Sequence, residues 1–432
     1  MPPYNPKQQY LIAPEALFGL QPLRKYALLF ETLEPCCARC FPSKTRGRRP
    51  LSRQALLNAL IYKNLKQLPT LFDLASTLID NPRLAATCGL PPNRSLWSLE
   101  ERLSSFLDAI PNSVLQIIRG NLVTHLIERK EISGSFLSID SAAVPVVVKE
   151  NNLKTSMNNR FDKSKPPKRD PEARLGVMIY FTNPFQKEPR YFWGYRNHSI
   201  TDCDAELPVW EVTKPANVQD TSLFIPLFRN LLEHCTFEIQ AVMGDAAYDS
   251  EANLKFIIDE LHALPRVARN PRWEKRREPT VSSSGGRICI AGFEMLYWGT
   301  FTDRGKIRRK FVCPITHSKK FAQQVPTCPW NHPAFRRGNG CTAYLRGDTQ
   351  IRKDIDYGSQ IFKEHYDKRT SSERVFSRLL SLCMQEPSVY GLNAVANNCT
   401  IAHITVLLIA LTAANVGQSD KVRFVKKFLP NL

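Results

Sequence analysis

An α/β architecture is predicted for this chain: a mixed sheet flanked by helices, with an all-helical region before it and a β-rich insertion ahead of the last long helical stretch. Three features predict it. Apolar residues recur every three to four positions from 51 to about 130. Apolar, β-branched runs then alternate with a helical stretch between 136 and 245, as strands and helices do in an α/β layer. A turn-rich, basic segment from 276 to 350 breaks that rhythm, and a helical pattern resumes from about 360. At 432 residues the chain is too long for one ordinary core. The expected divisions are 1–132 (helical), 133–275 (first part of the α/β domain), 276–350 (insertion) and 351–432 (second part, with C-terminal helices).

The elements follow in order. The opening MPPYNPKQQYLIAP has no apolar run behind a basic flank, so no secretory signal is read there. KTRGRRPLSR (44–53) is rich in arginine; Lys44, Arg46, Arg48 and Arg49 suit phosphate contacts, and a solvated basic loop fits a single run equally well. Leu56, Leu57, Leu60, Ile61 and Leu65 share one helix face, and three short helical stretches follow, separated by Asp-Asn-Pro and Gly-Leu-Pro-Pro. FLSIDSAAVPVVV from 136 reads as a central strand followed by a second one. RLGVMIYF (174–181), PRYFWGYR (189–196) and EIQAVMGD (238–245) are further strands, and SLFIPLFRNLLEHC (222–235) has helical spacing. TIAHITVLLIALTAANVG (400–417) is short for a bilayer span of about 20 residues and carries His403, so a buried helix is expected and no membrane partner.

Lys and Arg total 59 against 40 Asp and Glu, a net charge of +19, which concentrates polyanions around the molecule and makes nucleic acid the leading partner over a merely basic soluble protein. Without an export signal, the 12 cysteines are read as reduced thiols or metal ligands, and the expected location is the cytoplasm, in contact with the nucleoid.

Asp140, in FLSID, and Asp245, in AVMGDAAYD, each close an apolar strand. A buried carboxylate is costly unless paired. Two at adjacent strand ends, with a glutamate on a nearby helix, make sense as a cation site, because a cation neutralises the repulsion that would otherwise raise their pKa values. Oxygen ligands suit magnesium, and two such ions can assist in-line displacement at a phosphodiester. In YDKRTSSERVF (366–376), Tyr366, Arg369 and Glu373 fall on one helical stripe that Ser377 continues, with Val375, Leu379, Leu382 and Cys383 opposite. A solvated helix face accounts for that stripe equally.

With these residues in view, the sequence resembles the DDE transposases of bacterial insertion sequences (groups four and five), whose catalytic domain has the ribonuclease-H-like fold. The resemblance rests on SIDSAAV around Asp140, GDAAYDS around Asp245 and the Tyr-x2-Arg-x3-Glu string of Tyr366, Arg369 and Glu373. It extends to GRRPLSRQALLNALIYKNL and the helices behind it, which look like the N-terminal DNA-binding region of group five. It implies that Asp140, Asp245 and Glu373 are catalytic and bind two Mg²⁺ (or Mn²⁺) ions, and that Tyr366 and Arg369 hold DNA near the scissile phosphate. Where the family signature ends in lysine, this chain has Leu380; the nearest basic residue, Arg378, points about 160° away on a helix.

The implied activity is cleavage and strand transfer at terminal inverted repeats, with double-stranded DNA (transposon ends and target) as partner and a homodimer on DNA. Two alternatives are a non-catalytic DNA-binding derivative and a nuclease of the same fold. In the insertion, Cys313, His317, Cys328 and His332, with Cys341 near, could close a structural zinc site, although buried thiols and surface histidines are the favoured reading; Cys36, Cys37 and Cys40 form a second, equally ambiguous cluster. Asp249 is expected to support its loop, Asp220 to cap the helix starting near 222, and His365 to lie on the surface or touch DNA.

Overall fold

The computed structural model of the chain describes residues 23–38, 40–41, 51–91, 95–148, 165–183, 186–269, 287–303, 305–346, 355–357 and 359–425. The opening segment, and Lys44, Arg46, Arg48 and Arg49 of the basic run, lie outside the described residues.

Among the described residues six helices come first: α1 (Arg24–Cys37), α2 (Arg53–Lys66), α3 (Leu71–Asp80), α4 (Pro82–Thr87), α5 (Leu96–Ala109) and α6 (Asn112–Glu128). Polar side chains start most of them. The Ser52 and Ser95 hydroxyls accept from backbone N–H groups of α2 and α5, and Thr70 forms a reciprocal capping box with Asp73 at α3. Asp-Asn-Pro is more than a breaker. Asn81 ends α3 and caps α4, with Pro82 in the first turn, where a missing N–H costs nothing.

The α/β region contains β1 (Phe136–Pro145), β2 (Arg174–Asn183), β3 (Gln186–Asp202), β4 (Leu207–Pro215), α7 (Asp220–His234), β5 (Ala241–Gly244), α8 (Glu251–Asp259) and β6 (Leu264–Val267). The sheet order is β2-β3-β1-β5-β6. β3 pairs antiparallel with β1 on one side; on its other side β2 takes one half of its length and β4 the other. β5 runs parallel to β1, and β6 parallel to β5. Four antiparallel strands, two of them sharing one side of β3, continued by two parallel ones make the ribonuclease-H-like arrangement. Among the described residues the expected second strand after Asp140 does not form: β1 runs to Pro145 and residues 146–148 are no strand.

A separate antiparallel sheet, β7 (Leu296–Asp303), β8 (Lys306–Val312) and β9 (Thr342–Arg346), follows β6 in sequence, with the short helices α9 (Pro314–His317), α10 (Lys319–Gln324) and α11 (Pro333–Arg336) between its last two strands. The chain then forms α12 (Gln360–Asp367), α13 (Thr370–Leu379), a π-helical turn over Leu380–Met384, and α14 (Leu392–Asn415).

Helices cover both faces of the main sheet. Ser138 of β1 meets Ser372 of α13, whereas Ser141, of opposite parity, meets Asp220 of α7. α14 is buried along almost its whole length and packs against α2, α5, α6 and β4. Among the described residues it is the one helix long and apolar enough to cross a membrane. Here its surroundings are protein, and several of its polar groups bond internally: His403 Nε2 lies 2.9 Å from Asn197 Oδ1, and Thr400 Oγ1 donates to Glu211 Oε1 at 2.7 Å. Glu211 also accepts from Asn197 Nδ2 at 2.7 Å and from Gln116. Burial raises its pKa, and Arg119, fully buried over the Trp210 ring, opposes that shift.

Candidate active site

The site lies where two parallel neighbours end at different heights. β5 stops at Gly244, paired with Ile139, so Asp140 and Asp245 occupy the next position on each chain. Asp140 therefore does not close its strand, as its place in FLSID suggests. It sits mid-strand, where β1 continues against β3 alone and the end of β5 leaves an opening. Past β5 the backbone tightens into a 3₁₀ turn, Ala246–Tyr248, capped by Asp245, whose Oδ1 accepts from Ala247 N at 2.9 Å. Asp140 Oδ1 accepts from Ser141 N at 2.8 Å.

The third carboxylate arrives from the other side of the opening. The stripe Tyr366–Arg369–Glu373 is not on one continuous helix: Tyr366 is in the last turn of α12, Arg369 sits at the junction and Glu373 is in the first turn of α13. Contact survives the break. The Arg369 guanidinium lies 5.7 Å from the centre of the Tyr366 ring, Nη2 donates to Glu373 Oε1 at 2.6 Å, and Nη1 is 3.8 Å from Asp140 Oδ2. One planar cation thus bridges a carboxylate of the sheet and one of the helix. Val375, Leu379 and Leu382 are buried, while Cys383 takes a positive φ in the π-helical turn.

The electrostatics show a shortage of positive charge. Asp140 is pushed up to about 6, first by burial and then by Asp245 and Glu373; the Ser141 N–H and Arg369 only partly compensate. Asp245 is raised by burial and by Asp220, with the Ala247 N–H and Arg369 opposing. Burial works against the charge on Arg369, but Tyr366, Asp140 and Glu373 outweigh it and its pKa rises. Three hard oxygen donors that repel one another fit a hard divalent cation. Among the described residues no three His, Cys, Asp or Glu side chains are gathered at metal-holding distance. At this site Arg369 stands between Asp140 and Glu373.

A second tier behind the carboxylates was not foreseen. α7 begins at Asp220 itself, so Gln219 holds the capping position, and among the described residues no side chain makes the cap hydrogen bond. Asp220 Oδ1 accepts from Ser141 Oγ at 3.3 Å and lies 3.5 Å from His198 Nδ1, a ring with no exposure. Ser141 also accepts from Arg196 Nη1 at 3.2 Å. Burial, with Arg196 and Lys214, holds His198 neutral at about 3. The Tyr248 hydroxyl is buried, has no hydrogen-bond partner among the described residues, and feels Asp220, Asp140 and Asp245. The pairing of Ser141 with His198 across β1 and β3 makes this tier. An Asp just ahead of the helix predicted from about 222 was its one trace in the sequence.

Other expected residues are placed as follows. Leu380 packs partly buried against the core. Arg378 turns to Glu206, with Nη2 3.5 Å from Oε2, and burial lowers it to about 10. Asp249 is buried behind the 3₁₀ turn. His365 packs edge-on against Phe136, 5.1 Å between ring centres. Cys341 is pushed up to about 12 by burial, then by Cys313 and Cys289, so these three thiols are neighbours. His317 and His332 bond instead to Thr316 and to the Ala334 N–H. Cys36, Cys37 and Cys40 are raised by burial.

A model of the family described as "Transposase DDE domain" matches residues 180–408, just over half of the chain, and the chain belongs to that family. The matched span contains Asp245, Arg369 and Glu373, and Asp140 lies ahead of it. Among solved structures, a piggyBac transposase synaptic complex with hairpin DNA aligns at a TM-score of 0.41 and 11% identity, over 95% of this chain and 79% of that one. Among curated proteins, none matches this sequence.

Proposed function

We propose that this chain is the transposase of a bacterial insertion sequence of groups four and five, binding the terminal inverted repeats of its element and catalysing DNA cleavage and strand transfer. The observation that carries this reading is the convergence of Asp140 and Asp245, side by side past the end of β5, with Glu373 across Arg369. Asp140, Asp245 and Glu373 would hold two Mg²⁺ or Mn²⁺ ions, which supply charge neutralisation for in-line attack at phosphorus when bound. The chain's own residues prepare the site. The Ser141 and Ala247 N–H groups orient the two aspartates. Arg369, already braced on the Tyr366 ring, presents a planar donor set matched to a phosphate beside the carboxylates.

In this reading residues 1–132 form a DNA-binding region, 133–275 and 351–432 the two parts of the catalytic domain, and 276–350 an insertion. Lys44, Arg46, Arg48 and Arg49 add phosphate contacts, and two chains act together because two ends must be cut. The test is a strand-transfer assay with a labelled 3′-ended transposon terminus, target DNA and Mg²⁺. Joined product supports transposition, and cutting without joining assigns a nuclease. Activity that survives Asp140→Ala, Asp245→Ala and Glu373→Ala alike removes the proposed metal site.

A further inference from the structure

The segment 287–346 closes over very little. Its buried side chains Met295, Phe311, Val312, Cys313 and Ile315 all lie outside the core that α14 and the main sheet share. Tyr297, Trp298, Ile307 and Trp330 remain more than half exposed. So few buried side chains leave a segment of this length marginal, and small units of that kind are held together by disulfides or by a metal. Cys289, Cys313, Cys328 and Cys341 all lie in this segment.

Strand register brings three of these thiols together. Leu296 of β7 and Thr342 of β9 both pair with Val312 of β8. One position further on, Cys313 and Cys341 therefore come opposite each other, with Met295 on the other side of Cys313. The chain before Met295 is a hairpin: Ile288 bridges to Glu294, and the Met295 N–H donates to Arg287 O at 2.7 Å. Arg287 Nη2 reaches Tyr344 O of β9 at 3.2 Å, which holds this hairpin, and Cys289 within it, against the strand that follows Cys341. Cys341 interacts with both Cys313 and Cys289. The backbone closes tightly here: Gly340 has φ of +66°, and a Cβ added to it would fall 2.7 Å from Cys313 Cβ.

We infer that Cys289, Cys313 and Cys341 bind a structural Zn²⁺ ion that cross-links the hairpin, β8 and β9. Soft thiolates select zinc, whereas the oxygen donors of Asp140, Asp245 and Glu373 suit magnesium or manganese, so the two sites stay chemically distinct. Burial, Cys313 and Cys289 all disfavour the Cys341 thiolate, and a cation placed among the three sulfurs reverses that, releasing protons as it binds. Among the described residues no three ligands yet surround one point at metal distance, so binding draws the neighbouring thiols in to Zn–S distances of about 2.3 Å. A disulfide between Cys313 and Cys341 would tie β8 to β9 but leave Cys289 unused. His332, which its spacing from Cys328 suggests as a ligand, is not one: its Nδ1 accepts from the Ala334 N–H at 3.1 Å, which leaves the proton on Nε2. The fourth position of a tetrahedral zinc is open to Cys328, the remaining thiol of the segment.

The test uses the full chain, reduced and then stripped with EDTA. Titrated with Co²⁺, an optical stand-in for zinc, it shows sulfur-to-cobalt charge transfer that saturates at one ion per chain and that Zn²⁺ displaces. Cys289→Ser and Cys341→Ser, both at half-buried positions, each weaken Co²⁺ binding by more than the roughly 10- to 100-fold that follows loss of a group behind the ligands. Both variants melt as the stripped wild type does, because the main core is untouched. Asp140→Ala leaves the charge-transfer signal unchanged, since oxygen ligands give none. Limited proteolysis reads the structural role without a variant: stripping the metal exposes 287–346 to cleavage, and Zn²⁺ restores protection. The inference is overturned if charge transfer is absent, or if it persists in both serine variants. Protection that is lost to reductant and not to chelator overturns it as well, by assigning a disulfide.

Discussion

Asp140→Asn separates the cost of the site from its use. The Asp140 carboxyl is 21% exposed and is held at about 6 against an ordinary 3.8, so its ionised form is penalised in the folded chain by about two pKa units, or ~3 kcal/mol. The sign follows from linkage. A carboxyl raised on folding contributes no penalty below pH 3.8, loses stability progressively as pH rises through 6, and carries the full penalty at pH 7.5. Asparagine keeps an oxygen for the Ser141 N–H and removes the charge. With an unfolding entropy of roughly 2.1 cal/mol/K per residue, ~3 kcal/mol in a chain of 432 residues is a rise in melting temperature of about 3 °C. Melting is followed by intrinsic fluorescence in EDTA from pH 4 to 8. Asp140→Asn should melt higher than wild type at pH 7.5, and the difference should vanish near pH 4. Added Mg²⁺ should raise the wild type alone, by binding the folded state. A variant that melts below wild type at every pH, or a difference that ignores pH, refutes the reasoning.

Four further outcomes are expected. Glu373→Gln should cut strand transfer by at least about 100-fold while DNA affinity in EDTA stays within twofold, as gel shift would show. Asp220→Asn should weaken Mn²⁺ binding measured by calorimetry about 10- to 100-fold, the usual effect of removing a group that supports metal ligands; unchanged affinity would leave Asp220 a packing residue. Arg119→Ala, which strands Glu211 in the core, should destabilise by about 3–5 kcal/mol, read by urea unfolding, whereas Arg119→Met in the Glu211→Gln background should recover much of that loss. Gly134→Ala should lower the melting temperature by several degrees, because φ there is +70° and an added Cβ would fall 1.9 Å from the Phe237 ring.

Local patterns carried much of the fold. The period of three to four along 222–235 marked α7, and apolar runs marked β2, β3 and β5, because a helix or strand that buries one side must repeat its apolar residues at its own pitch. β4 escaped notice: LPVWEVTKP interrupts its apolar residues with Glu211, whose carboxylate is buried and satisfied by Gln116, Asn197 and Thr400 from three distant segments. The break between α12 and α13 was equally hidden, since Lys368 and Arg369 carry no glycine or proline signal and the kink is set by what the two helices pack against.

What the sequence by itself determined is the set of residues and their pitch: two aspartates beside apolar strands, a Tyr–Arg–Glu string on helical spacing, a basic chain with a turn-rich interruption. Those are local properties, written in nearest neighbours and periodicity. Only the tertiary structure decided that β5 ends one position short of Asp140, that Arg369 bridges Asp140 to Glu373, and that Asp220 and His198 stand behind them. The reason is physical: register between strands far apart in sequence is fixed by burying α14 and the sheet faces together, and no single segment contains that information.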